Sequence, residues 1–436
     1  MNSDTPSDKP HREIARLISG SAFIFFYRVF GAAATFLTQV LLARWMGAAE
    51  LGIYVLAFSW CILLSTLSTG GFRIASIRFI GEGLTASRPG YIAGYVRRSR
   101  QIVIILSLAV AILGSLCLLA FDSVFGVESL PVFIIALLAV PFFALLNLYA
   151  GYANALSRFP LSFLPINVFR PLLFLLAICG VWVAEKSLNA NIAMSMNWIA
   201  LGIVAVITII LSKQSLQSHI ADAEPQYATR TWIQTAIPLL FVALFTGYFP
   251  ELMVIIVGAW LPNNELAIFH VCFRVAMLIS FGLYAIDAFT GPEIAGLLAS
   301  GKQEKLQQVV NRVTRLRFWA ALAAIIILGF AGREVLGIFG EEFTQGYLIL
   351  MILALAQLVQ AGAGPTIRLI SLSGHQNQSV LVFSVAIIVA IILITILVPL
   401  FGVRGAAMAT LLDTLLWVAW MRYLVVRRLD IRPSIF

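Results

Sequence analysis

"ARWMGAAELGIY", Ala43 to Tyr54, is a short polar break between two long apolar runs, and "GAWLPNNELAIF", Gly258 to Phe269, writes the same break again. Trp45, Glu50, Leu51 and Ile53 return as Trp260, Glu265, Leu266 and Ile268 at a constant offset of 215, with Met46 echoed by Leu261 and Tyr54 by Phe269. Phe58, Ser65 and Gly81 then meet Phe273, Ser280 and Gly296 at that offset. A junction that recurs with its flanks implies a duplicated architecture.

The chain has 436 residues, 61% hydrophobic and 11% charged. Soluble domains carry roughly 25% charged residues, so this composition belongs in a bilayer. Apolar runs near the length of about 20 residues needed to span hydrocarbon as helix recur throughout. They read as twelve spans, near 17–43, 51–72, 101–121, 130–152, 161–184, 190–212, 232–261, 266–292, 313–331, 347–370, 379–401 and 405–425. The ninth requires Arg315 and Arg317 to snorkel to the surface. Both copies of the junction then fall on the outer face, between spans 1 and 2 and between spans 7 and 8. Six spans per half is even, so the halves enter the membrane in one orientation. The expected fold is an all-α integral membrane protein with about 12 transmembrane helices, in two six-helix bundles related by a pseudo-twofold axis along the membrane normal. Expected boundaries are a lead-in 1–16, a bundle 17–212, a linker 213–231, a bundle 232–425 and a tail 426–436.

Lys and Arg placement tests this count, because short cytoplasmic connectors collect positive charge. Of 29 such residues, 23 fall on one side and 4 on the other (Arg44, Lys186, Arg333, Arg404), leaving Arg28 and Arg274 inside spans. Both termini are thereby expected in the cytoplasm, and the net charge of +9 calls for no nucleic-acid partner. The first apolar run is far longer than a signal-peptide core, so no cleaved leader is expected. Cys61, Cys117, Cys179 and Cys272 sit singly within spans and read as small hydrophobes. "GLLASGKQ", Gly296 to Gln303, falls short of a phosphate-binding loop because Gln303 replaces the magnesium-holding Ser or Thr. No catalytic set, metal site or cofactor motif emerges, and the longest connectors, 73–100 and 212–231, are too short for a catalytic domain. A transporter rather than an enzyme is expected.

An ionisable side chain at the bilayer centre costs about 2.5–3.5 kcal/mol on insertion scales, so each one marks a partner or a wet cavity. At 1.5 Å per residue, Glu251, Arg274 and Asp413 lie roughly 13–15 Å below the outer face. Sharing a level, they are expected to form a cluster whose pairing changes on protonation or cation binding; a fixed ion pair is the equal alternative. Asp287, thirteen residues after Arg274 and so about 140° around a helix, reaches the same cavity only if Gly282 bends span 8. Arg28 sits in the inner half of span 1, Arg170 precedes Pro171 in span 5, and Arg73 and Arg78 close span 2. Arginine forks suit phosphate oxygens, and Arg28, Arg73 and Arg170 are candidates to receive them, with snorkelling to headgroups as the alternative and the reading for Arg78. The polar residues Asn147, Asn167, Gln39, Gln234, Gln357 and Gln360 read chiefly as helix-to-helix hydrogen-bonding groups.

"LLARWMGAAELGIYVLAFSW" and "GFRIASIRFIGEG" resemble the first two spans of the polysaccharide-transporter, or oligosaccharide flippase, branch of the multidrug/oligosaccharidyl-lipid/polysaccharide exporter superfamily. "NALSRF" and "SLSGHQNQ" are similar to the ends of its fourth and tenth spans, and "VPLFGVRGAAMATLLDTLLW" to its eleventh-to-twelfth junction. The resemblance implies a bacterial inner-membrane flippase with a central cavity. Its cargo would be an oligosaccharide on a polyprenyl pyrophosphate, turned to the outer leaflet by alternating access for cell-surface polysaccharide assembly. It also implies coupling to H+ or Na+ and work beside polysaccharide polymerase machinery. Superfamily members that flip a peptidoglycan precursor carry arginines on the first and eighth spans, similar in placement to Arg28 and Arg274, which adds Arg274 to the substrate-binding candidates. The ion-coupling candidates Glu251, Asp287 and Asp413 rest on burial. A drug antiporter of the same fold and a membrane glycosyl polymerase or ligase are the alternatives.

Overall fold

The computed structural model describes the backbone of residues 8–120, 129–220 and 223–435, and their side chains apart from those of 8–26, 28, 242, 245, 246, 288 and 376. Every element among the described residues is helical. The first half holds α1 (Asp8–Ser68), α2 (Phe72–Thr85), α3 (Pro89–Ala120), α4 (Leu130–Ala155), α5 (Phe159–Leu164), a π turn (Pro165–Phe169), α6 (Arg170–Glu185) and α7 (Ala190–Ile220). The second holds α8 (Thr229–Gly247), α9 (Phe249–Gly258), α10 (Asn263–Ala299), α11 (Gln303–Gly337), a 3-10 turn (Glu341–Gly346), α12 (Tyr347–Gly362), α13 (Thr366–Leu372), α14 (Gln376–Phe401) and α15 (Val403–Leu429). Among the described residues ten stretches are long and apolar enough to cross a membrane. One of them, Val29–Thr85, is a double pass folded at Gly47, and α8 with the shorter apolar α9 supplies the twelfth crossing.

The repeated junction is repeated in the backbone. Gly47 leaves the helix at φ 75°, ψ 171°, and Pro262, 215 residues on, does so at φ −63°, ψ 156°. Glycine reaches the first conformation without a Cβ clash, and proline is set for the second. The helix that restarts at Ala48 is capped by a distant carboxylate, since the Ala48 N–H donates to Glu342 Oε1 at 2.7 Å. Helix ends repeat as well. Residues with positive φ follow corresponding passes at Ser87 and Gly301, Ser157 and Gly374, and Lys186 and Gly402, separated by 214, 217 and 216 positions. Four of these six are closed by a six-to-one bond: Arg88 to Gly83, Arg158 to Ala153, Lys302 to Leu297 and His375 to Ile370, each N–H donating to the carbonyl.

Two compact units result. The first comprises the described parts of Met1–Trp45 and Trp60–Ala243, the second Met46–Ser59 and Leu244–Phe436. The first is centred on an aromatic cluster of Phe72, Phe79, Tyr95, Tyr149, Tyr152 and Trp232, in which Tyr95 Oη donates to the Phe72 carbonyl at 3.0 Å and Trp232 Nε1 to Tyr91 Oη at 3.0 Å. Trp232 belongs to α8, whose opening turns pack here because Gly71 has no Cβ to strike the Ala236 carbonyl. The connector before α8 is also docked, with the Gln226 N–H on the Gly90 carbonyl at 2.9 Å and Arg98 Nε on Thr229 Oγ1 at 3.2 Å. In the second unit Gly52 plays the part of Gly71, lying against the Asn263 carbonyl, so the two copies of the junction touch. The residues after α15 are strapped along α11: the Arg432 N–H donates to Gln307 Oε1 at 2.8 Å and the Ser434 N–H to Asn311 Oδ1 at 3.1 Å.

Gly52→Ala drives a methyl into the Asn263 carbonyl and is expected to cost about 1–3 kcal/mol, as overpacking does, seen as a lower Tm of the purified chain in detergent. Gly282→Ala, in an uninterrupted α10 with no heavy atom within 4 Å of the new methyl, is the control and leaves Tm unchanged or raised.

Candidate functional site

In the first unit two arginines are steered by amides. Arg73, at the start of α2, donates from Nη1 to Asn147 Oδ1 at 2.7 Å, and Asn147, 2% exposed on α4, is oriented by its own Nδ2 bond to the Phe143 carbonyl at 3.1 Å. Arg170 opens α6, its Nη1 3.5 Å from Asn197 Oδ1 on α7 and its guanidinium carbon 5.8 Å from the Phe143 ring centre. Both guanidiniums are half-buried. An amide oxygen accepts from a guanidinium without contributing a charge of its own, so each of these contacts orients the fork.

The local sequence explains where Arg170 sits. Pro171 has no N–H for the Asn167 carbonyl, and the Arg170 N–H bonds instead to Pro165, which makes the π turn. Gly31 of α1 lies directly against that Asn167 carbonyl. The turn of α1 that bears Arg28 therefore runs beside the helix that bears Arg170. The Arg28 side chain itself lies outside the described residues.

In the second unit the expected triad is divided. Arg274 Nη2 meets Glu251 Oε1 at 3.3 Å, linking α10 to α9, with side chains 32% and 11% exposed. Asp413 does not join them. It is 1% exposed, and neither of its oxygens has a hydrogen-bond partner. Depth along a helix sets level but not direction: Asp413 belongs to the face of α15 that carries Ala406, Ala409, Thr410 and Trp417 into the packing, whereas Arg274 faces α9. His270, one turn before Arg274, is likewise buried with both ring nitrogens unbonded.

Asp287 has a partner the sequence did not suggest. Arg317 of α11 donates from Nη1 to its carboxylate at 2.5 Å, and Arg368 of α13 crosses α10 at Gly291 to bond the Asp287 carbonyl. Arg317 does not snorkel; its side chain is 6% exposed, because it falls on the stripe Leu306, Val310, Val313, Arg317, Ala321 that α11 buries. That spacing was the available signal, and the nearness of Arg315 to the presumed surface obscured it. Asn197 was also missed. Of the marked amides, Asn147 and Gln357 do link helices, the latter accepting from Ser280, while Asn167 bonds only its own helix at Phe163.

No protein-family model matches the chain. It is 23% identical over 426 residues to the probable low-salt glycan biosynthesis flippase Agl15 of Haloferax volcanii, covering 91% of this chain and 81% of that protein. A second protein of that organism, the probable flippase AglR, is 25% identical over 162 residues, covering 36% of this chain and 34% of that one. Among solved structures, an inward-facing multidrug resistance MATE family transporter of the MOP superfamily matches with TM-score 0.77 at 14% identity, over 93% of this chain and 98% of that one. The lipid II flippase MurJ in an inward closed conformation matches with TM-score 0.74 at 14% identity, over 93% and 87%. At such identities these structures establish the fold, that of multi-pass membrane transporters with twelve helices in two bundles.

Breaking a buried ion pair from one side costs about 3–5 kcal/mol, because the other charge is left uncompensated. Arg317→Ala and Asp287→Ala are each expected to lower the Tm of the purified chain strongly. The Arg317→Met/Asp287→Leu double variant should recover more than half of that loss; independent, additive losses would show that the pair is not coupled.

Proposed function

We propose that this chain, which by fold and by its relatives belongs with the flippases of the multidrug/oligosaccharidyl-lipid/polysaccharide exporter superfamily, turns a lipid-linked oligosaccharide from the inner to the outer leaflet. The observation that carries the reading is the pair of amide-steered arginines in the first unit, Arg73 on Asn147 and Arg170 on Asn197, in a chain matched over 91% of its length by a glycan biosynthesis flippase. A pyrophosphate head cannot cross hydrocarbon without substitutes for its hydration. Oriented guanidinium forks supply them, while the lipid tail stays in the bilayer. Arg274 is the corresponding contact in the second unit, and Arg28 extends the first unit's set inward along α1. Movement proceeds by alternating access in a plasma membrane, with both termini in the cytoplasm, and is coupled to a cation through an intramembrane carboxylate.

The test uses the purified full chain in vesicles loaded with a polyprenyl-pyrophosphate oligosaccharide, the exposed sugar being read by an added glycosidase. Hydrogen bonds to charged groups are worth about 1.5–3 kcal/mol. Arg73→Ala and Arg170→Ala should therefore each slow transfer by about tenfold or more, with the protein still monodisperse. Wild-type rates in both variants, or no transfer by the wild-type chain, would refute the proposal.

A further inference from the structure

The three membrane carboxyls proposed for coupling are in three different situations. Glu251 is held by Arg274 and Asp287 by Arg317. Each of these carboxylates is thus already engaged with a cation on another helix. Asp413 has no such hold.

Asp413 lies ten residues into α15 from Val403, about 15 Å from the outer end of that helix and so near the middle of the membrane. It is 1% exposed and both oxygens are unbonded. α15 packs on α10, α12, α13 and α14. Their ionisable groups are Glu265, His270, Cys272, Arg274, Tyr284, Asp287 and Glu293 on α10, Tyr347 on α12 and Arg368 on α13, with none on α14, and none bonds an Asp413 oxygen. On α15 itself the neighbouring charges, Arg404 and Arg422, are nine residues to either side, about 13 Å away. α14 meets α15 at Gly402, so the depth of Asp413 corresponds to the part of α14 around Ala390 to Ile394, which is wholly aliphatic.

An ionised carboxylate without partners in such a place costs many kcal/mol, whereas the neutral acid is tolerated. Two turns before Asp413, Gly405 lies against the Leu397 carbonyl of α14, so the two helices pack closely at that end. A metal cation would need several more oxygens than one aspartate provides. Among the described residues no group of three or more His, Cys, Asp or Glu could hold one.

We infer that Asp413 is the proton-carrying group of the transport cycle: neutral in the conformation seen here, and releasing its proton when helix movement brings it to water. Glu251 and Asp287 serve instead as fixed partners for arginines. The inference rests on the reading of the chain as a coupled transporter and selects both the group and the ion.

A hydrophobic carbodiimide tests it without any cargo. The reagent adds to a protonated carboxyl in an apolar setting, the acid oxygen bonding to the central carbon and the proton passing to nitrogen, before acyl migration gives a stable N-acylurea. Purified full-length chain is treated at about pH 6 and about pH 9.5, a range that brackets buried carboxyls, and modified peptides are located by mass spectrometry. Labelling is expected at Asp413, at least fivefold stronger at the lower pH, absent in the isosteric Asp413→Asn variant, and unchanged by sodium at fixed pH. No label at Asp413 at either pH, label independent of pH, label preferring Glu251 or Asp287, or protection by sodium would each overturn the inference. In vesicles, Asp413→Asn should lose the response of transfer to an imposed pH gradient. If Asp413 labels as expected while the wild-type chain moves no lipid-linked oligosaccharide, the proton site stands and the cargo assignment falls.

Discussion

Inside hydrocarbon, a charge or a backbone polar group that has no partner in the protein or in water is expensive. That single constraint organises this molecule. It makes every described element helical and accounts for the specific partners of Arg73, Arg274 and Arg317. The few places where the backbone departs from the helix are supported in turn. Gly47 and Pro262 turn the chain at matched positions, Glu342 caps the helix restarted at Ala48, and the π turn before Pro171 leaves a carbonyl against which Gly31 can lie.

The partners sort the buried charges by kind. Neutral amides orient Arg73 and Arg170, the geometry on which the proposed recognition of an anionic head rests. Carboxylates pair with Arg274 and Arg317 and so join α9 to α10 and α10 to α11, Arg274 remaining a third exposed. Asp413 has neither kind of partner, and a solitary acid in an aliphatic setting suits a group whose charge changes during a cycle.

Much of the fold was legible in the sequence because spans are long and their signal is collective. The repeated Trp45 and Trp260 junction, and the six-pass spacing it implied, reappear as positive-φ residues at matched helix ends, Ser87 and Gly301, Ser157 and Gly374, and Lys186 and Gly402. The site was less legible, for a geometric reason. Counting residues gives depth, and depth grouped Asp413 with Glu251 and Arg274 although α15 turns it elsewhere. Direction depends on which neighbour a helix chooses, and for Arg317 the apolar stripe of α11 carried that information more reliably than its distance from the membrane surface. Nothing local in the sequence announced Asn197 as a partner of Arg170, since that contact joins positions 27 residues apart.

The account depends most on water reaching the steered arginines, because a dry guanidinium pair would be a helix clamp and not a receptor for a hydrated head. Arg73→Cys and Arg170→Cys, each in a chain whose four native cysteines are replaced by alanine, can be exposed in sealed vesicles to a membrane-impermeant maleimide, with Ser87→Cys as the accessible reference. Reaction at both positions from one aqueous side, slowed by inorganic pyrophosphate at Arg73→Cys when Arg170 is retained, is the predicted result. Two unreactive thiols beside a fully reactive reference would contradict it.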